Sequence, residues 1–191
     1  MLFSLIRSDL DRFTQSFRLR GQSFSRLKVV LESLLFKAGF QAVLLYRISH
    51  WLHQHGLTYP AWFLTRLGVT LTGAEIEFNA RIGPGLFLAH PVGVVIGRGT
   101  VIGARATIFQ GVTFGAKSWH PDHITRFPAV GDDCFFFAGC MVLGGVTVGS
   151  ECVVAANAVV TSDMPDGTLA KGVPARLSAR LGSEAILSWS A

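Results

Sequence analysis

The sequence predicts a mainly β protein: a left-handed parallel β-helix of hexapeptide repeats, preceded by an N-terminal α-helical region. Apolar residues recur at helical spacing before residue 70 and at every sixth position after it. In addition, glycine directly follows six of the period-six positions. We therefore expect an α-helical N-terminal region over 1–70, a β-helix over 71–177 and a C-terminal tail over 178–191.

The helical region carries a basic excess. Apolar residues form a stripe from Leu27 to about Leu57, with a second apolar segment over 61–71. Residues 1–70 contain nine Lys/Arg against three Asp/Glu. This favours a solvated helical face, and peripheral contact with an anionic membrane surface is the alternative. A nucleic-acid partner is not expected, because no basic run is interleaved with aromatic residues.

The repeat itself consists of large apolar residues six positions apart, interrupted twice. A six-residue unit suits one side of a three-sided coil, with the aliphatic residue pointing inward. The thirteen residues of this series are Ile76, Ile82, Leu88, Ile96, Ile102, Ile108, Phe114, Val130, Phe136, Val142, Val148, Val154 and Val160.

The position four residues after each of these is mostly small or β-branched and should turn the corner. These corner residues include Ala80, Val92, Thr100, Ala106, Val112, Val146 and Ala158. Cys134, Cys140 and Cys152 fall at the same position. Their register predicts buried small side chains rather than metal ligands or redox partners.

The two interruptions are where a repeat protein usually places function. One is a two-residue slip after Leu88, in LAHPVGVVIG. The other is the polar excursion GAKSWHPDHITRFPA between Phe114 and Val130. Such a loop is expected to reach a neighbouring subunit or to cover a cleft.

At these segments the chain resembles the serine acetyltransferase family. The motifs are GPGLFLAHPVGVVIG, QGVTFG, GVPAR at 172–176 and AVLLYRISHWLH, and the match covers about residues 26–177. The resemblance implies an O-acetyltransferase that binds acetyl-CoA as co-substrate between the subunits of a homotrimer, or of a dimer of trimers. Because no secretory signal or 18-residue apolar run is visible, we expect a cytoplasmic protein.

The resemblance places the catalytic histidine of the family on His90 and its carboxylate on Glu75, with Glu77 as a nearby alternative. A hydroxyl attacks a thioester poorly, and a neutral imidazole takes its proton as attack occurs. A carboxylate on the other ring nitrogen fixes the tautomer and stabilises the imidazolium.

On the donor side, the resemblance implies binding mostly by backbone and small residues, with no metal. The residues expected there are Gly115 and Ala116 at the thioester oxygen, and Ala138, Gly139, Ala155 and Ala156 along the pantetheine. Lys171 and Arg176 are expected to meet the phosphates of coenzyme A. The alternative for both is ordinary surface charge.

On the acceptor side, the chain departs from the family pattern. Ala89 replaces an Asp, Phe127 replaces a His after Arg126, and an Asp-Pro is absent near 24–25. Arg126 is able to bind a carboxylate or a phosphate. Trp119 and Phe127 suit stacking on a sugar. We therefore expect a saccharide hydroxyl as acceptor, as in polysaccharide biosynthesis, with L-serine of cysteine biosynthesis as the alternative.

Two other classes of function remain open at this point. His90, His120 and His123 could imitate the three zinc ligands of γ-class carbonic anhydrases, which share the β-helix. A non-catalytic scaffold that keeps the fold is the second alternative, and the presence of His90 argues against it.

Overall fold

The computed structural model describes residues 2–19, 26–117 and 126–178. Four helices come first: α1 (Leu2–Leu19), α2 (Arg26–Phe36), α3 (Ala38–Gln54) and α4 (Thr58–Thr72). Fifteen short strands follow: β1 (Glu75–Ile76), β2 (Arg81–Ile82), β3 (Phe87–Leu88), β4 (Val95–Ile96), β5 (Val101–Ile102), β6 (Thr107–Ile108), β7 (Thr113–Gly115), β8 (Ala129–Val130), β9 (Phe135–Phe136), β10 (Met141–Leu143), β11 (Thr147–Val148), β12 (Val153–Val154), β13 (Val159–Val160), β14 (Leu169–Lys171) and β15 (Arg176–Ser178).

The strands form three sheets, which are parallel except for the last pair, and from β1 to β13 every third strand belongs to the same sheet. Their orders are β1-β4-β7-β10-β13, β2-β5-β8-β11 and β3-β6-β9-β12-β14-β15. Three successive strands therefore make one coil, as the six-residue period predicts. The antiparallel pair β14–β15 ends the third sheet.

The inward positions of the three sheets share one core. All thirteen residues of the period-six series are buried, and they belong to a single hydrophobic cluster. The three cysteines are free and fully buried, as predicted. Burial raises the pKa of the Cys140 thiol to about 12, because a low-dielectric interior disfavours the thiolate.

One predicted corner residue is misplaced. Val92 is 66% exposed, and Val94 is buried in its stead. The cause is the two-residue slip after Leu88, which delays the register. The backbone amide of Val94 then donates to the carbonyl of Pro91 within the enlarged turn.

The helical stripe is also corrected by the structure. It is broken at Lys37, between α2 and α3, and Leu31 and Leu35 on α2 are 49% and 63% exposed. Gly39 and Pro60 each lie in the first turn of a helix, α3 and α4 respectively. A proline is tolerated there because the amide it lacks has no partner within the helix.

A buried ion pair attaches the helices to the first coil. Arg47 on α3 donates from Nε to Asp9 on α1 at 2.8 Å, and both side chains are almost fully buried. Asp9 also accepts the backbone amides of Gly85 and Leu86, each at 2.9 Å. Arg47 donates to the carbonyl of Gly83 at 2.6 Å. The charges are therefore fully hydrogen-bonded where they are buried.

In the described ranges, no single helix is long and apolar enough to cross a membrane. Residues 28–36 and 38–54 meet the criteria together, but they bend by 84° at the break between them.

Candidate active site

His90 lies in the turn between β3 and β4, at the two-residue slip. We call residues 89–94 and their equivalents in the later coils (109–112, 137–140 and 155–158) the His90 corner. The extra residues enlarge the turn of the first coil, and the His90 side chain is exposed there. The His90 imidazole therefore lies outside the coil at this turn, whereas the inward residues of the coil pack in the core.

A cavity of about 280 Å³ lies between this turn and the helical region. His90 and Ala89 form one side of it, and Lys37 and Gly39 at the start of α3 form the other. Its further lining includes the rings of Phe13, Phe36 and Phe87. Among the described residues that line it, the pocket beside the predicted base is mostly apolar and includes the cationic side chain of Lys37.

Glu75 is the first residue of β1, Glu77 directly follows the strand, and the two flank the buried Ile76. The amide of Glu75 donates to the carbonyl of Val94, beside the His90 corner, whereas the amide of Glu77 donates to Ile96 at the next corner. Within the described part of the chain, neither carboxylate hydrogen-bonds to His90. Of the two acidic residues, Glu75 is therefore the one whose backbone pairs with the turn that carries His90.

The predicted pantetheine residues fall into the His90 corner of later coils. Ala138 and Gly139 lie in the β9–β10 turn, and Ala155 and Ala156 lie in the β12–β13 turn. Gly139 has φ +70°, and a Cβ there would lie 2.3 Å from Oδ1 of Asn157. Glycine is therefore required at this position of the β9–β10 turn.

A column of residues, one from each coil, runs along the His90 corner to the predicted phosphate-binding residues. Residues of five successive coils follow each other through parallel backbone pairing: Ala89, Phe109, Phe137, Ala155 and Lys171. Four strand spacings of about 4.8 Å separate the first from the last, or about 19 Å. Arg176 pairs with Lys171 across the final turn, and both are exposed. Two cations thus lie at the opposite end of the column from His90.

Gly115, Ala116, Arg126 and Phe127 lie at another corner, between the first and second sheets. The carbonyl of Gly115 accepts the amide of Gly144, and Arg126 packs against Gly145. The Phe127 ring lies against Gly97 and Gly99 of the first coils. A single chain therefore does not bring these four predicted site residues to His90.

Several predicted residues lie outside the described part of the chain: Trp119, His120, His123 and the 24–25 segment. Within the described ranges, no three His, Cys, Asp or Glu side chains are grouped as a metal site would need.

Some cavity and column residues were not predicted from the sequence. Phe109 and Phe137 stack with centroids 5.2 Å apart and an interplanar angle of 18°, in the column between Ala89 and Ala155. Lys37, between α2 and α3, and Phe13 on α1 line the cavity from parts of the chain that are remote in sequence from His90. One signal was present for Lys37, a lone charge in the apolar run LLFKAGF.

Comparison with known families and structures defines the class of protein. A family described as bacterial transferase hexapeptide (six repeats) matches residues 128–162, and the hexapeptide repeat of succinyl-transferase matches residues 93–118. The chain is thus a hexapeptide-repeat transferase. The serine acetyltransferase of Helicobacter pylori is 42% identical over 145 residues, which are 76% of this chain and 84% of that protein. The chain belongs to the serine acetyltransferase family, and it is an acyltransferase.

Solved structures agree with this assignment. The serine acetyltransferase of Neisseria gonorrhoeae in complex with serine superposes with a TM-score of 0.80 at 31% identity, covering 93% of this chain and 69% of that one. The enzyme of Brucella abortus in complex with coenzyme A gives a TM-score of 0.80 at 30% identity, covering 93% of this chain and 68% of that one.

Proposed function

We propose that this chain transfers the acetyl group of acetyl-CoA to the hydroxyl of L-serine, with His90 as general base. The observation that carries the proposal is the exposed imidazole at the head of a column that leads to Lys171 and Arg176. The similar proteins reported above are named serine acetyltransferases, and one is in complex with serine. The comparisons thus favour serine over the saccharide acceptor expected from the sequence, and they give the saccharide no support.

The proposed reaction uses the residues as follows. A ring nitrogen of His90 accepts the hydroxyl proton while the oxygen attacks the thioester carbon. The tetrahedral intermediate then collapses, and the imidazolium returns the proton to the departing sulfur of coenzyme A. Glu75, at the near end of β1, orients the ring and stabilises its cationic form. General-base help of this kind accelerates such reactions about 10²- to 10⁴-fold.

Acetyl-CoA is proposed to lie along the His90 corner. The small residues Ala138, Gly139 and Ala155 leave room for an extended pantetheine chain, beside the stacked rings of Phe109 and Phe137. Lys171 and Arg176 at the far end suit the phosphates, since both are exposed cations. About 19 Å of column separates them from the level of His90.

We further propose that the coil is left-handed and that the active form is a homotrimer. Gly115, Ala116, Arg126 and Phe127 lie at a different corner from His90, so a site that contains all of them needs a second chain. A trimer supplies that neighbour to every subunit. Light scattering should give three times the chain mass of 20.6 kDa, or a multiple of it. A monomer at micromolar concentration would contradict the shared site.

The acceptor is tested by measuring release of free coenzyme A from acetyl-CoA. L-serine is compared with a panel of monosaccharides and nucleotide sugars at equal concentrations. The proposal predicts saturable release with L-serine, with a KM of about 1 mM or below, and a product that carries the acetyl group on oxygen. Release with a sugar, and none with serine, would restore the saccharide acceptor.

A further inference from the structure

The outward side of α4 is aromatic, where a solvated helix would be polar. The side of α4 that packs on the rest of the chain consists of small residues: Ala61, Thr65, Gly68 and Thr72. On the opposite side, Tyr59, Trp62 and Phe63 are 89%, 60% and 65% exposed. An exposed apolar patch of this kind marks a surface that binds a partner or a membrane.

The three rings form one group with Arg66. Positions 59, 62, 63 and 66 follow each other at helical spacing, which places their side chains next to each other on one side of α4. Arg66 is exposed as well. We call Tyr59, Trp62, Phe63 and Arg66 the α4 patch.

The charge around the α4 patch has one sign. No Asp or Glu occurs in the sequence between Glu32 and Glu75, a segment that contains the whole of α3 and α4. Within the described part of the chain, Arg66 forms no ion pair. The patch therefore combines large exposed rings with a positive charge that no neighbouring carboxylate balances.

We propose that the α4 patch docks on an anionic lipid membrane surface. Tyr and Trp favour the membrane–water interface, because their rings enter the apolar layer while their polar atoms stay hydrated. The guanidinium of Arg66 suits lipid phosphates, and an anionic leaflet attracts it. The helix then lies in the plane of the interface, and its small residues stay packed on the protein.

A second copy of the chain fits the α4 patch less well. In a two-fold contact the same patch is used on both chains, so two Arg66 side chains enter one small contact. Neither α3 nor α4 offers a carboxylate to pair with them. Burying an unpaired charge is costly. A lipid surface instead supplies a phosphate to each guanidinium, so charge complementarity favours the membrane.

The test measures co-sedimentation of the full chain with lipid vesicles at low salt. Vesicles of phosphatidylcholine alone are compared with vesicles that also contain phosphatidylglycerol. One variant carries Trp62→Ser and Phe63→Ser together, and another carries Arg66→Gln. The matched controls are Val173→Ser, an exposed apolar residue in the β14–β15 turn, and Lys117→Gln, an exposed cation in a later coil. An unchanged thermal midpoint shows that each variant is folded.

The wild type should bind the anionic vesicles more tightly than the neutral ones. Arg66→Gln should lose about five-fold in partitioning to anionic vesicles and nothing on phosphatidylcholine alone. Loss of both Trp62 and Phe63 should weaken partitioning to both kinds of vesicle by at least about ten-fold. Val173→Ser and Lys117→Gln should match the wild type.

Two results would overturn the membrane surface. One is a wild-type chain that does not sediment with anionic vesicles, or a Trp62→Ser/Phe63→Ser variant that sediments as the wild type does. The other is a lower mass of that variant in light scattering, which would make the α4 patch an interface between copies of the chain. Acetyl transfer is a separate property, so coenzyme A release by these variants should equal that of the wild type.

Discussion

Gly39 gives a prediction in which two physical effects oppose each other. Alanine is normally the better helix residue, and Gly→Ala inside a helix stabilises by about 1 kcal/mol. At Gly39, however, the added Cβ would lie 2.1 Å from the backbone oxygen of Leu88. Ordinary contact begins at 3.4 Å, so α3 and β3 must separate by about 1.3 Å.

The clash is expected to win. Overpacking costs about 1–3 kcal/mol, and a backbone neighbour, which cannot rotate away, puts the cost near 3 kcal/mol. With about 1 kcal/mol regained from helix propensity, Gly39→Ala should lower the free energy of unfolding by about 2 kcal/mol. For a chain of this size the thermal midpoint should fall by roughly 4–8 °C.

Gly68→Ala is the matched control in the middle of α4. There the nearest atoms to an added Cβ belong to Leu45 at 3.9 Å, an ordinary contact. This variant should raise the midpoint by about 1–4 °C, since only the propensity gain remains. Both are measured by thermal unfolding at equal protein concentration. A Gly39→Ala protein as stable as Gly68→Ala would refute the close packing of α3 on β3.

Two further predictions concern buried groups. Arg47→Met should destabilise the protein by about 3–5 kcal/mol, because it leaves the Asp9 carboxylate buried without its cation; a loss below about 1 kcal/mol in denaturant unfolding would contradict the buried pair. Desolvation by burial raises the pKa of Cys140 and of Tyr46 to about 12. The folded state therefore holds protons that the unfolded state releases, so stability should fall as the pH rises from about 9 to 12. Unfolding midpoints that stay constant over that range would show that these groups titrate freely.

Much of the fold was predictable because a period of six is a geometric constraint that each coil repeats. All thirteen residues of the period-six series, from Ile76 to Val160, could be assigned to the core, because a large apolar side chain in register points inward. The errors arose where register changes. The slip displaced Val92 to the surface, and the break at Lys37 split a stripe that is continuous in sequence.

The repeat alone pointed only to the two interruptions, one of which carries His90. The assignment of His90 as base and of Ala138, Gly139, Ala155 and Ala156 to the pantetheine came from the family resemblance, and these roles stay predictions. Lys37 and Phe13 were missed, because no sequence period relates a helix end to a coil that lies fifty or more residues away. Phe109 and Phe137 were missed because small residues were expected along the donor site. These two positions, which directly follow the inward residues Ile108 and Phe136, carry large rings instead.

The central claim is that His90 is the base of an acetyl transfer from acetyl-CoA to serine. It is tested most directly by coenzyme A release from His90→Ala, with His55→Ala as control, because His55 is exposed and does not line the cavity. With L-serine at saturation, His90→Ala should lose at least about 10²-fold in kcat, and its binding of coenzyme A should be retained. His55→Ala should match the wild type. If His90→Ala keeps more than about a tenth of the wild-type kcat, His90 is not the base.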